Sequence, residues 1–403
     1  MRQEGSLRSA PPWDTRPDHM EELCSRVRSF VDQRVIPCES ELEIPGPHAE
    51  ELMRRLQQQA RAEGLWALGL PNEIGGGGLS FLDYVYVNEI VGRSYHALLA
   101  LGTHITQDAL LLHYYGTAEQ KNRWLVPMVA GDMIPSFAIT EPDVAGSDPK
   151  QLQTRAEWCG DKWVINGHKW VTTHADFASF TVCMAVTDPD AAPHNRASMF
   201  IVPTNTPGYN RTRSMSLLGD KTGGHSDVLY ENVELPAEAL LGGRGEAFAM
   251  AQRRLGPGRI YHVMRWIGQM QRALELMCQR AASRFVHGSL LSDKQTIQNW
   301  VADSAADITA TRLMTLDAAR AIDSGTDPRI SIAMVKYFGA EALHRVVDRA
   351  VQVHGVLGVC SDSPLDSMYR RARFARLYDG PDEVHRMTVA RLVQRILTDG
   401  GAA

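Results

Sequence analysis

Apolar residues recur three and four positions apart through the first third of the chain: Leu23, Val27, Phe30 and Val31, then Leu52, Leu56 and Ala60. Positions so spaced share one face of a helix, so the segment 20–130 is predicted helical. The glycine run at 75–78 marks a loop. A further helical pattern runs from Leu82 to Tyr115 and stops at Gly116, and another follows over 119–129. Near Ile134 the period changes to two. Phe180, Val182, Met184 and Val186 alternate with Thr181, Cys183, Ala185 and Thr187, which predicts a half-buried strand. Trp163-Val164-Ile165 runs into Asn166-Gly167, a strong two-residue hairpin signal. Met199 to Val202 and Val228 to Val233 read as further strands, punctuated by Pro203, Pro207 and Pro236. After Gly245 the helical period returns, with Ile260, Met264, Ile267, Met270 and Leu274 on one face and Val335, Phe338, Ala342, Val346 and Ala350 on another. Gly256-Pro257-Gly258 is a break that bends or starts a helix, and Pro381 opens the last one.

The pattern predicts an α+β multidomain protein. It has a flexible tail at 1–19, an N-terminal helical domain at 20–133, a central β-barrel-like domain at 134–245 and an antiparallel C-terminal helical bundle at 246–403. Its 403 residues are enough for two or three cores. Forty-two Lys and Arg against 47 Asp and Glu give a formal charge of -5, which argues against a nucleic-acid partner held by charge. No apolar run is long enough for a membrane-spanning helix. Six scattered cysteines without a C-x-x-C pair read as reduced thiols of an intracellular, cytoplasmic protein; a mitochondrial or peroxisomal setting stays open. The first 13 residues carry no apolar core of a secretory signal. His168, His174, His354 and His385 show no metal-ligand spacing, so no metal is expected.

Candidate chemistry begins at Phe137-Ala138-Ile139-Thr140-Glu141-Pro142-Asp143-Val144-Ala145-Gly146-Ser147-Asp148. A Pro-containing turn and a Gly-Ser corner expose amides and hydroxyls that suit a flat cofactor edge or a phosphate, or simply form a turn. This run resembles the signature T-E-P-x-x-G-S-D of the acyl-CoA dehydrogenase family, with one extra residue between Pro142 and Gly146. Asn166-Gly167-His168-Lys169-Trp170-Val171-Thr172-Thr173 is similar to that family's second signature, N-G-x-K-x-W-[IS]-[TS], with Val171 where Trp is common. Trp170 either substitutes for that ring or packs in the strand, as Val171 would.

The resemblance implies the family's fold, ending in a four-helix bundle, and FAD held between sheet and bundle. It implies that Phe137, Ile139 and Thr140 line the flavin edge, that Gly146 and Ser147 face cofactor and thioester, and that Val171 and Thr173 flank the ring. The Thr173 hydroxyl could steady charge arriving on the ring. Arg284-Phe285-Val286-His287-Gly288 resembles the family's R-x-x-F-G segment, with Gln295 downstream. Gln352-Val353-His354-Gly355 resembles Q-x-x-G-G. In the family these reach the FAD of a neighbouring subunit, so Arg284, His287, Gln295, Gln352 and Gly355 become cofactor candidates in a homodimer or homotetramer. Taken alone, Arg284 is a solvated helix residue.

Arg376-Leu377-Tyr378-Asp379-Gly380-Pro381-Asp382-Glu383-Val384-His385 stands where the family commonly has Y-E-G-T. Together with Arg254-Leu255-Gly256-Pro257-Gly258-Arg259-Ile260 it looks like the branch typified by the mammalian family members ten and eleven. The residues alone allow Asp379 to be a carboxylate favouring a helix N-terminus. The resemblance makes it the base that removes the α-proton of an acyl-CoA. Asp is shorter than Glu by about 1.5 Å, so backbone or substrate must sit closer. Desolvation is expected to raise its pKa towards the working pH. Arg259 lies beside the base or the CoA, or forms a structural ion pair. Gly380 joins the substrate candidates with Ser147. Glu383 replaces a family Gln that touches FAD, or is an exposed helix residue. The implied activity is dehydrogenation of an acyl-CoA to the trans-2-enoyl-CoA, with electrons passed to an electron-transferring flavoprotein. The branch adds 4-hydroxy or phosphorylated hydroxyacyl chains as a hint. A nitroalkane-oxidising flavoenzyme with an Asp base, and a non-catalytic DNA-bound flavoprotein, are the alternatives.

Overall fold

The computed structural model describes residues 16–398, so most of the tail expected at 1–19 lies outside the described residues. The longer N-terminal helices are α1 (Asp18–Phe30), α2 (Pro47–Ala62), α3 (Phe81–Val91) and α4 (Thr106–Tyr115). In α1, Asp18 and Glu21 stand in the first turn and Arg28 in the last, matching the helix dipole, while Met20, Cys24, Val27 and Phe30 are buried. The Ser80 hydroxyl caps α3 by accepting from the Asp83 amide at 3.0 Å. Every residue of α3 from Tyr84 to Val91 is buried, as befits a helix enclosed on all sides.

The sheet comprises β1 (Pro135–Ala138), β2 (Arg155–Cys159), β3 (Lys162–Thr172), β4 (Phe180–Val186), β5 (Ala197–Pro203), β6 (Tyr209–Leu217), β7 (Asp220–Pro236) and β8 (Leu240–Leu241). Its order is β6-β7-β3-β2-β4-β5-β8, with β1 parallel to β4. Two sequence expectations fail here. Asn166-Gly167 makes no hairpin; β3 runs through it, and the β2–β3 turn falls at Gly160-Asp161. The pair forms an irregularity in the β3–β7 ladder instead. Asn166 Oδ1 accepts from the Asn232 amide at 2.8 Å, and a Cβ on Gly167 would stand 2.4 Å from Thr154 Oγ1, so the glycine answers a close approach. Nor is β4 half-buried, since all seven residues are buried. Phe180, Val182, Met184 and Val186 face a core shared with the helices, and Cys183 and Ala185 face the core inside the sheet. A strand covered on both faces needs no polar side.

The C-terminal helices are α5 (Ala247–Ser283), α6 (Gln295–Asp323), α7 (Arg329–His354), α8 (Pro364–Phe374) and α9 (Asp382–Thr398). Helix α7 packs on α5, α6, α8 and α9, and α3 lies against α5 and α6. The third expectation to fail is a helix start at Gly256-Pro257-Gly258, since α5 begins at Ala247 and continues through Pro257 for 37 residues. Its first turns bury Ala247, Met250 and Ala251 in the core shared with the sheet, and its later turns bury Ile260 to Ala281 in the helical core. Packing on both sides outweighs the one backbone hydrogen bond that proline removes. A Cβ on Gly268 would stand 1.8 Å from Glu89 O, and one on Gly92 would stand 2.0 Å from Arg265 O. The two glycines let the backbones of α3 and α5 touch.

Candidate active site

One cavity of about 2390 Å³ runs between the sheet, the N-terminal helices and α5, α7 and α9. Drug-sized ligand pockets measure about 300–1,000 Å³, so this space suits a large cofactor and a second molecule together. Of the residues singled out in the sequence, Phe137, Ile139, Thr140, Gly146, Ser147, Val171, Thr173, Arg259, Asp379 and Gly380 all line it. Arg284, His287, Gln295, Gln352, Gly355 and Glu383 do not. These six are exposed. His287 and Gly288 form the tip of a two-stranded turn between β9 (Phe285–Val286) and β10 (Ser289–Leu290), both at positive φ.

The two signature segments are clasped together under the cavity. Phe137 bridges Thr173, and the Trp170 amide donates to Thr140 O at 3.1 Å. Behind them Lys169, wholly buried, donates to Glu141 Oε1 at 2.7 Å and to Ile139 O at 3.0 Å. Glu141 also accepts from the amides of Gln153 and Thr154, at 2.7 and 2.9 Å. Burial pushes the Glu141 carboxyl up, but Lys169 and these donors hold it below its ordinary value. At the end of β3 the chain turns left-handed, with φ of 53° at Val171 and 63° at His174. Strained backbone of this kind survives only where surrounding structure fixes it, and here it presents the segment to the cavity. Thr173 Oγ1 stands 3.2 Å from His225 Nδ1. Backbone edges, a hydroxyl and the Phe137 ring, with Arg254 stacked 4.0 Å over it, make a lining chemically suited to a flavin ring.

Asp379 sits in the turn between α8 and α9, at a φ of 53°. Its carbonyl accepts from Arg259 Nε at 2.9 Å and faces His385 Nε2 at 3.1 Å. Lys336 on α7, fully buried, donates to Ala375 O and Gly380 O at 2.9 and 3.0 Å. Three side chains thus pin the turn by its carbonyls. The amides of Asp379 and Gly380 donate to no backbone carbonyl among the described residues. The Asp379 carboxylate meets His262 instead, with Nε2 3.2 Å from Oδ2. Burial pushes the Asp379 carboxyl up, but His262, Arg259 and Arg254 outweigh it and hold the group well below the usual carboxylate range. The expected raised pKa is therefore not a property of the protein alone. Burial, with Arg259 and Lys336, pushes His385 down to about 4, so it is neutral and donates to the carbonyl. His104 and His174 line the cavity as neutral rings, pushed down by burial to about 3 and about 4. Sequence reasoning missed His262, Arg265 and Lys336. The signal for the first two was there: 259, 262 and 265 fall on one helix face by their spacing of three.

Fold and site together define a helices–sheet–helices protein with one large cavity whose lining suits a flavin. Three family models match the chain: the acyl-CoA dehydrogenase N-terminal domain over 17–132, the middle domain over 136–233 and the C-terminal domain over 243–394. Acyl-CoA dehydrogenase family member 10 of Mus musculus is 39% identical over 92% of this chain, which covers 36% of that protein. FadE2 of Mycobacterium tuberculosis, named a probable acyl-CoA dehydrogenase, is 37% identical over 91% of this chain and 93% of its own. A solved Mycobacterium abscessus structure bearing the same family name superposes with a TM-score of 0.90 at 37% identity, covering 95% of this chain and 99% of that one. The chain belongs to the acyl-CoA dehydrogenase family. It spans between a third and a half of the length of the first mammalian relatives it matches. Among the described residues no helix is long and apolar enough to cross a membrane.

Proposed function

We propose that this chain dehydrogenates an acyl-CoA thioester to the trans-2-enoyl-CoA, with Asp379 as the base. The observation that carries the proposal is the Asp379 carboxylate in one cavity with both signature segments. FAD, when bound, supplies a two-electron acceptor that takes the β-hydrogen as hydride while the α-hydrogen leaves as a proton. Asp379 receives that proton. The neighbouring cations keep it ionised before substrate arrives, and closure over the carboxylate strengthens it as a base by excluding water. The amides of Asp379 and Gly380 can donate to a thioester oxygen as charge develops there. Phe137, Ile139, Thr140, Gly146, Ser147, Val171 and Thr173 hold the flavin and thioester edges. Arg284, His287, Gln295, Gln352, Gly355 and Glu383 are exposed outside this cavity, which fits a role towards the cofactor of another copy in a dimer or tetramer. Electrons leave to an electron-transferring flavoprotein, and the six free cysteines fit a reducing, cytoplasmic setting.

The test is anaerobic titration of the FAD-loaded protein with a panel of acyl-CoA thioesters. The wild type bleaches, and Asp379→Asn retains FAD yet slows bleaching by roughly a thousandfold or more. Normal bleaching by Asp379→Asn removes Asp379 from the role. Rapid reoxidation by oxygen with nitroalkanes and no response to thioesters replaces the proposal with the nitroalkane chemistry.

A further inference from the structure

We propose that His262 is the positioning partner of Asp379: a neutral imidazole whose tautomer Arg265 fixes and whose Nε2–H anchors the carboxylate. This rests on the reading of Asp379 as the base.

The argument starts from donors. Arg265 Nη2 lies 2.8 Å from His262 Nδ1, and a guanidinium offers only N–H groups. Nδ1 must therefore accept, and the proton of a neutral ring must sit on Nε2. That nitrogen stands 3.2 Å from Asp379 Oδ2, a buried oxygen that makes no well-aligned hydrogen bond here, so the Nε2–H is the donor placed to satisfy it with a small rotation of either group. The ring cannot swing away. It stacks on Trp266 with centroids 6.3 Å apart and lies 4.7 Å from the Tyr378 ring, and Trp266 Nε1 donates to the Tyr378 hydroxyl at 3.0 Å. Protonating His262 would place a cation against Arg265 in a buried site, and burial and Arg265 do push its pKa down.

Two consequences follow. His262 faces one carboxylate oxygen, which leaves the other to meet the substrate. The proton that Asp379 gains cannot move to His262, because Nε2 already carries one and the Nδ1 lone pair is taken. His262 orients the base and weakens it, and does not relay its proton. The other groups facing Asp379 are Arg254 and Arg259 on α5, Lys336 on α7, Tyr378 on its own turn and His385 on α9.

The experiment uses FAD-loaded protein and three variants: His262→Leu, His262→Asn and Arg265→Met. The first readout is the tautomer, by nitrogen-15 NMR of histidine-labelled oxidised protein, with the His262 signals identified by their loss in His262→Asn. The expected result is a neutral, Nε2-protonated ring at pH 7 that loses this fixed state in Arg265→Met. The second readout is the pH dependence of flavin reduction by a thioester that bleaches the wild type. His262→Leu should move the acid limb up by about one pH unit, whereas His262→Asn, which keeps an N–H donor, should leave it near the wild-type position. An Nδ1-protonated or cationic ring, or an unmoved acid limb in His262→Leu, overturns the proposal. Should no thioester bleach the wild type, the reaction assignment fails while the tautomer measurement still decides the His262–Arg265 arrangement.

Discussion

Removing the Lys169 amine while leaving Glu141 in place isolates what the buried pair beneath the two signatures contributes. The Lys169 side chain is 0% exposed and that of Glu141 is 4% exposed. In Lys169→Met the carboxylate keeps the Gln153 and Thr154 amides but loses its only counter-charge among the described ion pairs, and Ile139 O loses a donor. Stranding one member of a buried pair typically costs about 3–5 kcal/mol, roughly two to four decades in the folding equilibrium. The Lys169→Met/Glu141→Gln double variant removes both charges and should recover most of that loss, ending within about 1–2 kcal/mol of the wild type. The pH dependence has a definite sign. The folded-state pKa of Glu141 is below its ordinary value, so its contribution is complete above about pH 5 and is lost as pH falls through the folded value. Without Lys169, burial pushes the carboxyl up, so the deficit of the single variant should shrink between pH 7 and pH 4. Urea unfolding followed by tryptophan fluorescence at both pH values measures this. A single variant that loses less than about 1 kcal/mol at pH 7, or a double variant worse than the single, refutes the reasoning.

Two further outcomes follow from the packing. Burial pushes Lys336 down to about 8 while Asp379 and Asp382 oppose it, so between about pH 8 and its unfolded value near 10.4 the unfolded chain binds more protons. Wild-type stability should therefore rise relative to Lys336→Met as pH climbs from 8 to 10, measured by denaturant midpoints; a constant difference would place the amine in a different protonation state. Gly268→Ala drives a methyl into Glu89 O and should cost about 1–3 kcal/mol; Gly92→Ala opens the same crossing, so the double variant should lose less than the sum, and strict additivity would count against a shared contact.

The helix–sheet–helix order was legible because the apolar period changes from 3.6 to 2 and back near residues 134 and 245, and the patterns at Leu52, Leu56 and Ala60 and at Val335 to Ala350 fall on faces that are indeed buried. What misled was local chemistry overruled at long range. Asn166-Gly167 has every mark of a turn, yet β7 on one side and Thr154 on the other hold it extended. Gly256-Pro257-Gly258 reads as a place where a helix bends or starts, yet α5 already runs from Ala247 and is gripped by two cores. Phe180 to Thr187 alternates because its two faces meet different cores, one taking large and the other small side chains, and not because one face is wet. In the site, signatures named the residues lining the cavity. The partners that set the charge of Asp379 were hidden, because His262 and Lys336 reach it from helices more than 40 residues away in sequence, where no motif links them.

The unbroken passage of α5 from one core to the other means that the seam near residue 243, where family models divide the chain, is not a seam in folding. Cutting there would strip the sheet of the Ala247–Ala251 turn that covers its helix-facing side, and would leave the bundle's longest rod frayed at its start. The two halves are accordingly expected to be proteolysed together, as one unit.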